Sequence, residues 1–322
     1  MTLTAPPQTP IGGVTPAPAP PRRKRRLAGT NPATRTLISS VDLQRHRGLY
    51  FTVLGLTITV FVLVFLVPLY WMFASAVKSP AEYALSTPTF IPNSWHPENY
   101  ATAWDNMRIA KYFTNTVLYA AGGWLIALIF DVGVAYALSK LKPIFGKILL
   151  GAVLASLMLP ASALLVPAYL TVVDVPLVHV NLLNTPWALW LPAAANAFNV
   201  YVLKRFFDQI PDDLLDAASI DGAGKLRQLW SIMLPLSRPV LGVVSIFIII
   251  ALWKDFLWPL LVLPEPDAQT LSVALSRLAN TSQVPPTEFM AGLAIASVPM
   301  IVVFLIFQRS IIGGLSAGSM KG

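Results

Sequence analysis

The chain has no cysteine and only three histidines. Disulfides, thiolate nucleophiles and cysteine metal sites are therefore excluded. His46, His96 and His179 are far apart and show no metal-ligand spacing. Charge is scarce as well. Only 12% of the 322 residues are charged, against about one quarter in a soluble domain. With 55% hydrophobic residues and a mean hydropathy of +0.64, that scarcity points to a polytopic membrane protein. The net charge of +8 does not indicate a nucleic-acid partner. Five basic residues form one block, Arg22 to Arg26, suited to a solvated tail against anionic lipid. The others are scattered near the ends of apolar runs, as topology signals are. A phosphate loop is missing too. "GAGK" at 222–225 has Ser219 where the motif needs glycine and Leu226 where it needs Ser or Thr. ATP binding is not expected of this chain.

What is present is apolar and long. Residues 1–45 are rich in Pro, Ala and Arg and read as a disordered tail. They are not a cleavable signal peptide, since the first apolar run begins only near Leu49 and is too long. A domain over 46–315 then carries six runs, at about 49–73, 114–138, 146–171, 186–204, 239–263 and 288–312. Each can cross about 30 Å of hydrocarbon as a helix. Continuous runs of this kind are helices, since barrel strands would alternate. The expected fold is all-α with six transmembrane helices. Pro160 and Pro167 interrupt the third run, and Pro192, Asn196 and Asn199 the fourth. Such breaks either line a cavity or bend a helix against its neighbour.

Basic residues set the orientation. With the N-terminus inside, eighteen Lys and Arg fall inside and four outside: Lys78, Arg108, Lys111 and Arg277. Lys254 lies within the fifth run. This asymmetry predicts a multi-pass cell-membrane protein with both termini cytoplasmic. It also places the polar stretch 208–238 in the cytoplasm, between runs four and five.

That stretch contains "DAASIDGAGKLRQLWSIMLP", residues 216–235. Pro211 with Asp212 or Asp213 reads as a helix start, where the dipole favours acids. Leu214, Leu215 and Ala218 fall near one face, and Ala217 and Ala218 are small enough for close approach. Gly222 sits where a helix ends in a left-handed residue. A second short helix at about 224–232 leads into the next run. The product is a rigid protruding knob. Ala218 is expected to face the cleft that receives it.

The stretch resembles the EAA loop of bacterial ABC importer permeases, with the pattern E-A-A-x3-G-x9-I-x-L-P. Asp216, Ala217, Ala218, Gly222, Ile232, Leu234 and Pro235 match it at full spacing, with Asp in place of Glu at 216. "DGA" at Asp221–Ala223 is also typical. "FIPNSWHPENYATAW", "FTNTVLYA", "WKDFLWPLLVL" and the end "FQRSIIGGLSAGSMKG" resemble segments of carbohydrate-importer permeases, in particular the smaller permease subunit of maltose-type importers. The resemblance implies a type I ABC importer permease fold with a cytoplasmic coupling helix. It implies four partners: a second permease, two copies of an ATPase subunit, an extracytoplasmic sugar-binding protein, and a sugar. The sugar would be a di- or oligosaccharide such as maltose, maltodextrin or trehalose. No cofactor and no catalytic residue are expected. ATPase coupling would fall to Asp213, Asp216, Ala217, Ala218, Asp221, Gly222, Ala223, Ile232, Leu234 and Pro235. In the tail 316–322, Ser316, Gly318 and Lys321 would contact the ATPase.

Charges at membrane depth are costly and are functional candidates by default. Asp131 is mid-span in the second run, and Lys254 and Asp255 lie in the fifth. Asp131, Asn196, Asn199, Trp253 and Asp255 are candidate translocation residues. Lys254 and Asp255 also suit a gate or structural role. Trp253, Phe256 and Trp258 could stack on sugar rings or form an interfacial belt. The alternative function is an ion-coupled secondary transporter of a small solute. That class needs intramembrane acids in related repeats, and the sequence has one isolated Asp and no convincing repeat. No Ser–His pair lies at membrane depth, so an intramembrane hydrolase lacks its chemistry.

Overall fold

The computed structural model describes residues 47–280 and 284–319. The predicted tail 1–45 lies outside them. The described residues form helices and no strand. The chain divides into two compact units, Met1–Leu63 and Val64–Gly322. Among the described residues the first unit holds only the start of the first helix, α1 (Arg47–Ala76). The packing described below belongs to the second.

Two short helices follow, α2 (Pro80–Tyr83) and α3 (Glu98–Asn106). Then comes α4 (Ile109–Tyr136), which continues as a π-helical turn over Ala137–Leu141. Next are α5 (Gly146–Ser156), α6 (Ala161–Val173), α7 (Trp187–Ala193) and α8 (Ala197–Phe207). The polar stretch gives α9 (Asp212–Ile220) and α10 (Lys225–Leu236), the latter with a π turn at Leu229–Met233. The chain then forms α11 (Arg238–Lys254), α12 (Leu257–Val262), α13 (Leu271–Ala279) and α14 (Pro286–Ser319).

The six expected spans are not six continuous helices. Three helices are long and apolar enough to cross a membrane: Arg47–Ala76, Ile109–Leu141 and Pro286–Gln308. Two bent pairs bring the number to five if each is one span. They are α5 with α6, bent by 110°, and α10 with α11, bent by 84°. Proline stands at both bends: Pro160 precedes α6, and Pro239 opens α11, where a ring in place of N–H is tolerated. Pro167 and Pro192, expected to interrupt their runs, lie inside α6 and α7. The run expected at 186–204 becomes two short helices, broken after Ala193. Asn196 caps the second of them, its Oδ1 accepting from the N–H of Phe198 at 3.0 Å and of Asn199 at 3.2 Å. A side chain that satisfies a helix N-terminus in this way makes the break stable.

Helix α4 is the spine of this unit and packs against α3, α7, α8, α11 and α13. Its middle is glycine because the neighbours come so close. A Cβ on Gly122 would lie 2.2 Å from the Trp190 ring, and one on Gly123 would lie 2.8 Å from Leu252. Small residues at a helix contact let backbones approach where lipid gives no hydrophobic drive. The Trp190 indole then donates to the Tyr119 carbonyl at 3.0 Å. One apolar cluster joins the far end of α4 to the polar stretch, through Tyr136, Leu203, Phe207, Leu215, Leu229 and Met233.

Candidate functional site

The polar stretch folds as a knob of two helices joined by a tight turn. Helix α9 starts after extended Pro211 with two acids in its first turn, Asp212 and Asp213. These oppose the partial positive charge of the helix start. The helix ends through Gly222, whose φ of +79° is left-handed. The Ala223 N–H bonds back to the Ala218 carbonyl at 2.8 Å, and the Gly222 N–H to Ser219 at 3.1 Å. This six-to-one closure is the Schellman arrangement. Nothing lies within 4 Å of where a Gly222 Cβ would be, so the constraint there is conformational rather than steric.

Gln228 locks the turn. It is fully buried. Its Nε2 faces Ser219 Oγ at 2.7 Å, the Ala223 carbonyl at 3.0 Å and the Leu215 carbonyl at 3.2 Å. One side chain thus ties α9, the turn and α10 together. Leu215 is buried in the core cluster, against which Ile232 and Leu234 also pack. Pro235 is exposed in the last turn of α10. The Ile-x-Leu-Pro end of the motif therefore holds the knob to the bundle, and the front of the motif faces out.

On that front, Asp213, Asp216, Ala217 and Asp221 are exposed. Ala218 is half-buried, with its carbonyl taken by the turn. Ala217 is the more open of the two alanines, and Ala218, expected to face the cleft, shares a side with Leu215. Three large apolar side chains join the open surface: Ile220 at 87% exposure, Leu226 at 73% and Trp230 at 68%. The sequence reading missed these and Gln228. A lone Gln in an apolar stretch shows its burial only once the two helices close on it.

The base of the knob is charged. Lys140, on the π turn that ends α4, places Nζ 2.6 Å from Asp212 Oδ1 and donates to the Ile210 carbonyl at 2.5 Å. Lys142 reaches Asp212 Oδ2 at 3.1 Å. The hydrogen bond from Lys140, with that from Lys142, holds the Asp212 carboxyl below its ordinary value. Beside it, Asp208 accepts from Ser139 at 2.7 Å and Lys204 at 2.8 Å.

The translocation candidates separate into two groups. Asp131 is fully buried. Its Oδ1 accepts the Asn196 N–H at 2.9 Å and its Oδ2 the Asn199 side-chain amide at 3.0 Å. Asp131, Asn196 and Asn199 therefore form a closed polar knot that pins the α7–α8 break onto α4. A carboxylate satisfied by fixed donors is suited to a structural role. Asp255 is different. It lines a cavity of about 220 Å³ with Thr116, Tyr119, Pro192, Trp258 and Thr270. Trp258 is fixed by its indole donating to the Ala188 carbonyl at 2.9 Å. Trp253 does not line the cavity and stacks edge-on against Phe113, 5.7 Å between centroids. Ser316 and Gly318 belong to the final turns of α14, which continues through Ser319, so the backbone has no break at the expected tail boundary. Lys321 lies outside the described residues. Among the described residues no group of three or more His, Asp or Glu could hold a metal ion.

Comparison with known proteins gives consistent matches. Residues 123–315 match the family described as "Binding-protein-dependent transport system inner membrane component". The chain is 33% identical over 261 residues to the "Diacetylchitobiose uptake system permease protein NgcG" of Streptomyces coelicolor, covering 80% of this chain and 84% of that one. It is 27% identical over 260 residues to the "Melibiose/raffinose/stachyose import permease protein MelC" of Bacillus subtilis, covering 80% and 91%. Among solved structures, a subunit of a bacterial ABC transporter that imports the acidic polysaccharide alginate superposes with a TM-score of 0.74. It has 23% identity and covers 85% of this chain and 99% of that one. At that identity the likeness concerns the fold, that of a type I importer permease.

Proposed function

The chain belongs to the family of binding-protein-dependent transport system inner membrane components, and on that premise we propose that it is the permease subunit of an ATP-driven carbohydrate importer. The observation that carries this reading is the knob. It is rigid within, through Gln228 and Gly222, and open on its outer face at Asp213, Asp216, Ala217 and Ile220. Such an element suits insertion into a cleft on a separate ATPase subunit. The chain has no phosphate loop of its own.

In this reading a second permease pairs with the chain, two ATPase subunits bind at the knobs, and a solute-binding protein delivers the cargo from the other side. In this reading the knob and both termini are cytoplasmic, which the eighteen-to-four distribution of basic residues counted over six spans supports. Closure of the ATPase dimer on ATP drives the knobs together, and the helices alternate between two rigid-body states. Carbohydrate is the cargo class that the printed names of the relatives NgcG and MelC suggest. The cavity at Asp255 and Trp258 fits that class, with a carboxylate to accept from hydroxyls and an indole face for a sugar ring. Maltose, maltodextrin and trehalose remain specific members of that class to be tried beside diacetylchitobiose and melibiose.

The test is reconstitution. The chain is co-purified with its second permease, ATPase and binding protein, and ATP hydrolysis is read with each sugar in proteoliposomes. Stimulation by a loaded binding protein is the expected result. Sugar uptake by this chain alone, driven by an ion gradient without ATP, would overturn the proposal.

A further inference from the structure

Both ends of the knob are tied to one helix. At the entrance, Lys140 donates to the Ile210 carbonyl and to Asp212. At the start of α10, the Tyr136 hydroxyl donates to the Lys225 carbonyl at 3.1 Å. Tyr136 and Lys140 belong to the last turn of α4 and its π extension. A π turn adds a residue per turn and re-aims the side chains that follow it. Here it turns Ser139 and Lys140 toward the loop between α8 and α9. The Lys140 side chain is only 4% exposed, while that of Lys142, on the same carboxylate, is 66% exposed. Of the two, Lys140 is the fixed contact.

The same helix reaches the rest of the machinery. Asp131, about one and a half turns before Tyr136, grips the α7–α8 break through Asn196 and Asn199. Thr116 and Tyr119 of α4 line the Asp255 cavity. From Tyr136 to Tyr119 is about 25 Å along a continuous helix at 1.5 Å per residue.

We propose that Lys140 is a positioning residue that latches the knob to α4, so that a push on the knob moves α4, the α7–α8 break and the cavity wall as one body. The proposal rests on the reading of the knob as the ATPase-docking element. A buried ammonium with a carboxylate and a carbonyl as partners has one geometry, and removing it leaves both partners without it. Without the latch the knob still docks by its outer face, but its motion is lost in the α8–α9 loop.

The experiment compares Lys140→Met, Lys140→Arg and Lys142→Met in the assembled importer. With Lys140→Met, sugar-stimulated ATP hydrolysis and sugar moved per ATP should fall about tenfold or more, since the Ile210 carbonyl and the Asp212 carboxylate both lose the buried ammonium. The ATPase should still co-purify. Lys140→Arg should restore most of the stimulation, and Lys142→Met should resemble wild type. Wild-type coupling in Lys140→Met would overturn the proposal. If Lys140→Met loses the ATPase subunit, hydrogen exchange of the purified chain decides. Faster exchange across 210–221 than in wild type supports the latch, and unchanged exchange overturns it. If the wild-type assembly itself shows no sugar stimulation, the importer reading fails, and the exchange experiment still judges the latch.

Discussion

At Asn196–Asn199 a polar segment interrupts an apolar run, and at Pro211–Gly224 a second one does the same, with opposite consequences. In the first, Asp131 and Asn199 turn inward, while Asn196 stays exposed and gives its backbone N–H. Asp131 takes the Asn196 N–H and the Asn199 amide, and Asn196 caps α8. In the second, Gln228 of α10 closes on the turn from inside, while Asp213, Asp216 and Asp221 turn outward. The sequence marked both as functional candidates, the first as a polar break near Asp131 in an apolar bundle and the second by its EAA-like spacing. The difference lies in what each leaves unmet. A buried carboxylate held by two protein donors serves the fold. A knob with a closed interior and an open face has a surface for a partner.

The largest effect expected from this contrast is at Asp131. Asp131→Ala strands the buried Asn199 amide and the part-buried Asn196 N–H, at about 1–3 kcal/mol for a fully buried donor, so thermal unfolding in detergent should move down by several degrees and the yield of inserted protein should fall. Asp131→Asn keeps one acceptor oxygen and should lie between. If Asp131→Ala unfolds like wild type but abolishes transport, the knot is a path residue after all and the comparison fails.

Next is Gly222→Val. A β-branched residue at φ +79° costs on the order of 1–3 kcal/mol, here with no steric clash to add. The knob should deform while the bundle keeps its unfolding temperature, and the ATPase should co-purify poorly. Gly222→Asn, which tolerates left-handed φ, should be milder. Equal co-purification by all three chains would remove the knob from the coupling role.

Gln228→Leu sharpens the inner half of the comparison. It deletes a donor shared by three acceptors, and the cost should be about 1–3 kcal/mol, confined to the knob. Hydrogen exchange should quicken at Ser219–Ala223 and stay slow in α4. On the open face, Asp216→Lys should weaken ATPase docking with no change in unfolding, and Asp216→Glu should keep it. A fall in unfolding temperature for Asp216→Lys would mean that the face is not open.

The smallest effect is the pH response of the knob's base. The hydrogen bond from Lys140, with that from Lys142, holds the Asp212 carboxyl below its ordinary value. A group whose folded pKa is lowered adds stability above its unfolded pKa, about 3.9 for Asp, and loses it as pH falls through the folded value. Hydrogen exchange of 210–221 should therefore quicken below about pH 4 in wild type more than in Asp212→Asn. The same acid response in both chains would remove Asp212 from the latch.

The sequence alone carried the class, the apolar runs and the EAA-like spacing from Asp216 to Pro235. Each is a local property. Hydrocarbon thickness sets the length of a run, basic residues set the expected side, and a left-handed turn requires Gly222 whatever surrounds it. Tertiary structure decided what local pattern cannot carry. Proline at 160 and 239 could kink a span or end it, and only the packed neighbours fix bends of 110° and 84°. Ala217 and Ala218 are alike in sequence, and only the burial of Leu215 determines which faces out. Asp131 and Asp255 are both acids at depth, and what separates them is the donors that other segments bring, 65 to 68 residues away for Asp131. Burial and partner geometry depend on which distant segments meet, and that is settled only when the helices pack.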